Sequence, residues 1–410
     1  MSVIPFARPS IGDEEVAAVS DVLRSGWLTT GKQALAFERE FAATLDVPHA
    51  LAVNSATAGL HLALEAVGVT SGDYVIVPSL TFTATAEVVR YLGAEVAFAD
   101  VGRSSMLIDP ESVERLAVAI GRAGRRPAAI IPVHLAGEPC DMDALNSIAR
   151  EHGAAVVEDA AHAFPARYQG QPVGTLGDIG VFSFYANKTI TTGEGGMVVT
   201  RHEEYAHRMK TMRSHGIDRE AWHRYTEAGT DSSGTSAPHW YYQVVAPGFK
   251  YNLPDTAAAI GRVQLQRAEE LRLSRTRLAE RYLRHLAPLQ ETGKVVLPNS
   301  PPDHAWHLFV LRLNPAVLSI TRDQFIEELR ERGIGTSVHY IPLHHMPYWK
   351  QRYFDTDHRS AERLRAEALS NTDQRFTEIV SIPLYPDLSL TDQDHVIRAV
   401  KTVLEAHRGA

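Results

Sequence analysis

The sequence runs to 410 residues, room for two or three folding units at about 100–200 residues each. Its 44% hydrophobic and 22% charged content is that of a globular chain, not of a disordered one or a coiled coil. Forty-one Lys and Arg against 49 Asp and Glu leave a net charge of -8, which argues against a nucleic-acid partner, and the one arginine cluster, Arg122 to Arg126, reads as a solvated turn.

Along the chain, Ala50 to Val53 reads as a strand, followed by a helix over Thr57 to Val67. Short β-branched runs then alternate with amphipathic helices. Strands are predicted at Tyr74–Val77, Glu95–Phe98, Ala129–Val133, Ala155–Val157 and Ile179–Phe182, and helices at Thr83–Leu92, Pro110–Ile120 and Asp141–His152. That alternation specifies an α/β fold with a mostly parallel sheet flanked by helices. Glu227 to Pro238 is the most loop-like stretch. Asp255 to Leu286 reads as one long connecting helix. Beyond it, strands at Leu308–Leu313 and Thr336–Tyr340 with helices at Arg322–Arg332 and Thr391–His407 suit a smaller α+β lobe. The division expected is a large domain over 1–254 and a connecting helix with a small domain over 255–410. Cys140 is the lone cysteine, so no intrachain disulfide and no cysteine metal site is available. With no signal-peptide core and no apolar run of about 18 residues, the protein is expected to be cytoplasmic.

Three segments carry candidate chemistry. Asp159 and His162 follow the strand that ends at Glu158, where α/β proteins place ligands, although Asp there also serves as a helix cap. Lys188 follows the apolar run Phe182–Tyr185 and leads into Gly193-Glu194-Gly195-Gly196. A lysine so placed can be desolvated into a nucleophilic amine, or can simply snorkel to the surface. Asn54-Ser55-Ala56-Thr57-Ala58-Gly59 opens a helix with small residues, which suits either an anion or a plain cap. Together these are the three parts that hold pyridoxal phosphate (PLP): a phosphate site, an acid for the ring nitrogen and a Schiff-base lysine.

The order Asn54–Ala58, Glu158–Ala163, Ser183–Lys188 and Glu194–Gly196 closely resembles the sugar aminotransferases of the DegT/DnrJ/EryC1/StrS family. The likeness runs from Ser25–Gly31 through Gly248–Leu253 and Ala305–Phe309 to Val338–His344. It implies a fold-type-I enzyme with a seven-stranded-type sheet, which uses PLP to move an amino group from L-glutamate to a nucleotide-linked keto sugar. Lys188 is then the catalytic residue, carrying the cofactor and shuttling a proton once released. Asp159 faces the pyridine nitrogen, His162 lies against the ring or its substituents, and Phe82 stacks on the ring. Ala56, Thr57 and Ser183 contact the phosphate, and Asn252 reaches in from a second subunit, which implies a homodimer with shared sites. Tyr185, His307, His339, Tyr340 and His344 are candidates for the sugar-nucleotide side. No metal is implied.

Some relatives replace the lysine by histidine and act as dehydratases; retention of Lys188 favours transamination. Members acting at C4 of the sugar tend to carry His at the position of His162 and those acting at C3 carry Gln, so the resemblance points to a 4-keto-6-deoxy sugar. A 3-keto sugar or cyclitol aminotransferase, and a PLP-binding regulatory protein without turnover, are the alternatives.

Overall fold

The computed structural model describes residues 3–218, 229–230, 236–237, 240–354 and 368–407. Most of the Glu227 to Pro238 stretch falls outside them. Its centre is a seven-stranded sheet built from β1 (His49–Val53), β2 (Tyr74–Pro78), β3 (Glu95–Ala99), β4 (Pro127–Ile130), β5 (Ala155–Asp159), β6 (Ile179–Ser183) and β7 (Gly196–Thr200), in the order β1-β7-β6-β5-β4-β2-β3. β7 runs antiparallel to β1 and β6, and all other pairings are parallel. The apolar runs of β2 and β7 are buried throughout, because helices cover both faces of the sheet.

The crossover helices begin where side chains can satisfy the free N–H groups of a first turn. Asp109 accepts from the N–H groups of Glu111 and Ser112, Asp141 from Ala144, and Ser55 Oγ from Ala58 at 3.1 Å. This topology gathers the carboxyl ends of β1, β5 and β6 on one edge, together with the chain that leaves β2 and β4.

A second, three-stranded sheet holds β8 (Val295–Val296), β9 (Phe309–Leu313) and β10 (Ile379–Ile382). It packs on the helices Arg322–Glu331 and Leu390–Ala406 around Phe309, Leu311, Phe325 and Val400, and Ile4 from the start of the chain joins the same core. Ile4 is anchored there by Gly335 N–H, which donates to its carbonyl at 2.9 Å.

The long helix expected over Asp255 to Leu286 is two helices, Asp255–Gln266 and Ala268–Glu291, meeting at Arg267. Thr336–Tyr340 is not a strand. It touches β10 through one bridge, Ser337 to Ser381, and then turns toward the large sheet. Among the described residues no helix is long and apolar enough to cross a membrane.

Candidate active site

A cavity of about 480 Å³ opens at the carboxyl edge of the large sheet. Ala56 and Thr57 line it from the first turn of the helix after β1, Asp159 and His162 from the end of β5, and Ser183, Tyr185 and Lys188 from the end of β6. Phe82 comes from the loop after β2, while His339 and Tyr340 arrive from the small lobe. Asn252, His307 and His344 do not line it. His307 is buried with its ring 4.3 Å from that of His162. His344 bonds Ser79 Oγ at 2.7 Å and Asp373 at 2.8 Å. Asn252 donates to Thr30 Oγ1 at 2.5 Å and accepts from Lys250.

Asp159 is buried, and burial pushes its carboxyl above the usual range, against the Thr85 hydroxyl and the Ala161 N–H. Thr85 Oγ1 donates at 2.8 Å and Ala161 N at 3.2 Å. Thr81 in turn bonds Thr85 at 2.8 Å. The sequence reading missed Thr85; its signal was the spacing Thr81 to Thr85, one helical turn, across the start of the helix Ala84–Tyr91. No cationic side chain pairs with Asp159 among the described residues.

Lys188 is half-buried. Desolvation brings its amine down to about 7, opposed by the Asp159 carboxylate. Burial also pushes His162 well below its ordinary value and brings His339 down to about 4, with the Lys188 charge adding to both. These imidazoles are therefore neutral near pH 7.

The tautomer of His162 follows from its neighbours. Its Nδ1 accepts from the Ala136 N–H at 3.3 Å, which leaves the proton on Nε2. Nε2–H then donates to the Tyr340 hydroxyl oxygen at 3.1 Å. The Tyr340 proton is thus free to serve an acceptor in the cavity. Burial, with the Asp159 charge, pushes the phenol up, so it remains a neutral donor.

PLP fits this chemistry at three points. The N–H groups of Ala56 and Thr57 lie in a first helical turn, where no helical carbonyl reaches them, and suit a phosphate. Asp159, buried without a cation, suits a protonated pyridine nitrogen. Lys188, its ammonium disfavoured by desolvation, offers an amine in the same cavity. At Gly196 a Cβ would lie 2.7 Å from Phe182 O and 2.8 Å from Ala56 N, so only glycine lets β7 come this close to the phosphate end. Phe82 keeps 57% of its surface exposed at the cavity, with its ring 5.8 Å from that of Tyr340, and offers an aromatic face there.

A doubly covered, mostly parallel sheet with a desolvated lysine and a buried aspartate lining one cavity at its carboxyl edge is the arrangement of a fold-type-I, PLP-dependent enzyme. The profile of the DegT/DnrJ/EryC1/StrS aminotransferase family matches residues 9–401, and the chain belongs to that family of sugar aminotransferases. It is 39% identical over 405 residues to the spore coat polysaccharide biosynthesis protein SpsC of Bacillus subtilis, covering 98% of this chain and 97% of SpsC. Spr1654 of Streptococcus pneumoniae, solved in PLP and PMP forms, superposes with a TM-score of 0.84 at 30% identity, over 98% of this chain and, for the PLP form, 99% of that one. PseC of Helicobacter pylori, an aminotransferase involved in pseudoaminic acid biosynthesis, gives a TM-score of 0.85 at 26% identity over 99% of this chain and 100% of PseC.

Proposed function

We propose that this enzyme transfers the amino group of L-glutamate to C4 of a nucleotide-linked 4-keto-6-deoxy sugar, releasing 2-oxoglutarate. The observation that carries the reading is the pairing of an amine brought down to about 7 with the neutral His162–Tyr340 donor pair in one cavity. When bound, PLP supplies the aldehyde that takes up amino groups and the ring that draws electrons from the substrate.

The residues of the chain do the rest. Ala56, Thr57 and Ser183 would hold the phosphate, Asp159 would keep a proton on the ring nitrogen, and Phe82 would cover the ring face. Lys188 would be the covalent attachment point, and its Nζ, when free, would take and return the proton, a general acid–base role typically worth about 10²–10⁴-fold. Tyr340, held by His162, offers its hydroxyl proton to an oxygen of cofactor or sugar. Tyr185, 48% exposed at the cavity, is placed to meet the acceptor. The imidazole at position 162, by the tendency of C4-acting family members to carry His there and C3-acting ones Gln, supports reaction at C4. Asn252 is assigned to the second subunit of a homodimer, consistent with its absence from the cavity of its own chain.

The test is glutamate-driven turnover over a panel of nucleotide-linked 4-keto and 3-keto sugars and keto-inositols, with the position of the new amine determined by NMR. C4 amines alone are expected. Exclusive C3 amination would overturn the reading of His162, amination of a keto-inositol alone would make the enzyme a cyclitol aminotransferase, and PLP binding without 2-oxoglutarate release would leave a regulatory protein.

A further inference from the structure

Outside the cavity, the described residues hold two groups of side chains that could ligate a metal. Glu114, Glu151 and His152 offer one imidazole and two carboxylates. The other group is richer in nitrogen. His344 and His345 sit in the short turn Leu343–His345, and Asp373 in the first turn of the helix Ser370–Glu378. Nε2 of His344 lies 2.8 Å, and Nε2 of His345 2.6 Å, from the same Asp373 Oδ1, and the three ligand atoms are all within 4.8 Å of one another. Both elements that carry them are fixed by buried groups. Leu343 N–H donates to Ser79 O at 2.9 Å, and the buried Asp100 accepts from the N–H groups of Asn371 at 3.0 Å and Thr372 at 2.8 Å. The His344 ring is held as well, since its Nδ1 bonds the buried Ser79 Oγ at 2.7 Å. With Ser79 Oγ as the acceptor, the ring proton stays on Nδ1 and Nε2 turns its lone pair to the cluster, the arrangement of a metal-bound histidine.

We propose that His344, His345 and Asp373 form a binding site for a divalent transition metal of the zinc class. Two imidazoles and a carboxylate suit zinc, cobalt or nickel, whereas calcium and magnesium take oxygen donors. Zinc at about 2.0–2.2 Å from each atom places tetrahedral ligands about 3.4 Å apart, so each imidazole has to withdraw from Asp373 by less than about 1 Å. Water can take the fourth position, because His345 and Asp373 are exposed. None of the three ligands lines the cavity, so the ion's part is structural. It ties the turn to the helix four residues after Tyr340 and, through Ser79, beside the loop that carries Phe82. A metal that binds only the folded chain adds its binding free energy to stability.

The test uses the full-length, PLP-loaded enzyme, treated with a chelator and dialysed against low-micromolar Zn²⁺, with elemental analysis of the metal retained, and then against Co²⁺ alone. One zinc per chain is expected, and Co²⁺ should give the visible absorption of a tetrahedral site. His345→Ala and Asp373→Asn should each weaken zinc binding by about tenfold or more, while Glu114→Gln leaves it unchanged. Zinc at a hundredfold excess over its Kd should raise the melting temperature of the wild type by about 3 °C and leave those of the two ligand variants where they were. A wild type that retains no zinc would overturn the proposal whatever the variants do. Wild-type affinity in either ligand variant, or loss of zinc in Glu114→Gln alone, would place the metal elsewhere and overturn it too. So would displacement of the zinc by millimolar Ca²⁺, the mark of an oxygen site.

Discussion

Lys188 and Asp159 divide the work of the site because the same burial acts on them in opposite directions. It lowers the amine and raises the carboxyl, and each group is held in check by specific neighbours. Lys188→Ala should abolish the lysine-linked cofactor absorbance band and lower kcat by about 10²-fold or more; an unchanged band and turnover would refute its role. Asp159→Asn should leave the circular dichroism unchanged and reduce kcat, since a neutral amide cannot keep the ring nitrogen protonated. Tyr340→Phe removes one hydroxyl whose oxygen satisfies His162. A loss of about 5–30-fold in kcat/KM is expected, the worth of one or two kcal/mol of hydrogen bonding, and unchanged kinetics would show that the phenol serves no acceptor. Most of these residues were legible in the sequence, since Asp159, His162, Ser183 and Lys188 sit at strand ends in recognisable order. Thr85 was not. It belongs to no strand-end motif, and its importance lies in a partner distant in sequence, Asp159.

At the scale of elements, the runs that read as strands were those buried on both faces, such as β2, where composition alone suffices. β7 escaped notice because it follows directly on Gly193-Glu194-Gly195-Gly196, and punctuation of that kind hides a five-residue strand. The break at Arg267 was equally hidden: helical periodicity continues across it, and only packing of the two halves against different partners reveals it. Thr336–Tyr340 has strand composition, yet it leaves β10 after a single bridge. That departure carries His339 and Tyr340 to the cavity. The junction of β7 with the phosphate-end helix is tight enough to test. Gly196→Ala should destabilise the protein by about 1–3 kcal/mol and weaken PLP affinity, because backbone on both sides must shift. Thermal unfolding together with PLP titration would show it, and a variant with wild-type values for both would mean the junction can yield.

For the whole molecule, the amine of Lys188 links stability to pH. Its value is about 7 in the folded chain against 10.5 as the ordinary value. Between those limits the unfolded chain binds the extra proton, so this group's contribution is fully present above about 10.5 and is gone as pH falls below about 7. In cofactor-free protein, the urea-derived stability of wild type relative to Lys188→Met should rise across that window; a flat difference would mean that the folded amine titrates as an ordinary lysine. The proposed sharing of sites in a homodimer makes a second prediction. Lys188→Ala and Asn252→Ala chains, mixed and allowed to exchange, should recover activity toward roughly a quarter of wild type, because half of the dimers then hold one intact site of two. No recovery above the separate variants would argue against a contribution across the interface.

The anchoring of Ile4 beside Gly335 has a consequence for biosynthesis. Ile4 emerges from the ribosome more than three hundred residues before its partners in the second sheet's core, Ile334 and Phe325 among them. Synthesis proceeds at about 5–20 residues per second, so the leading segment waits tens of seconds for the surface it will cover. During that interval Ile4 is without its partners, and a fragment starting at Asp255 would lack the side chain that completes this core. Completion of the second sheet's core therefore joins segments more than three hundred residues apart, and it cannot finish until both have been made.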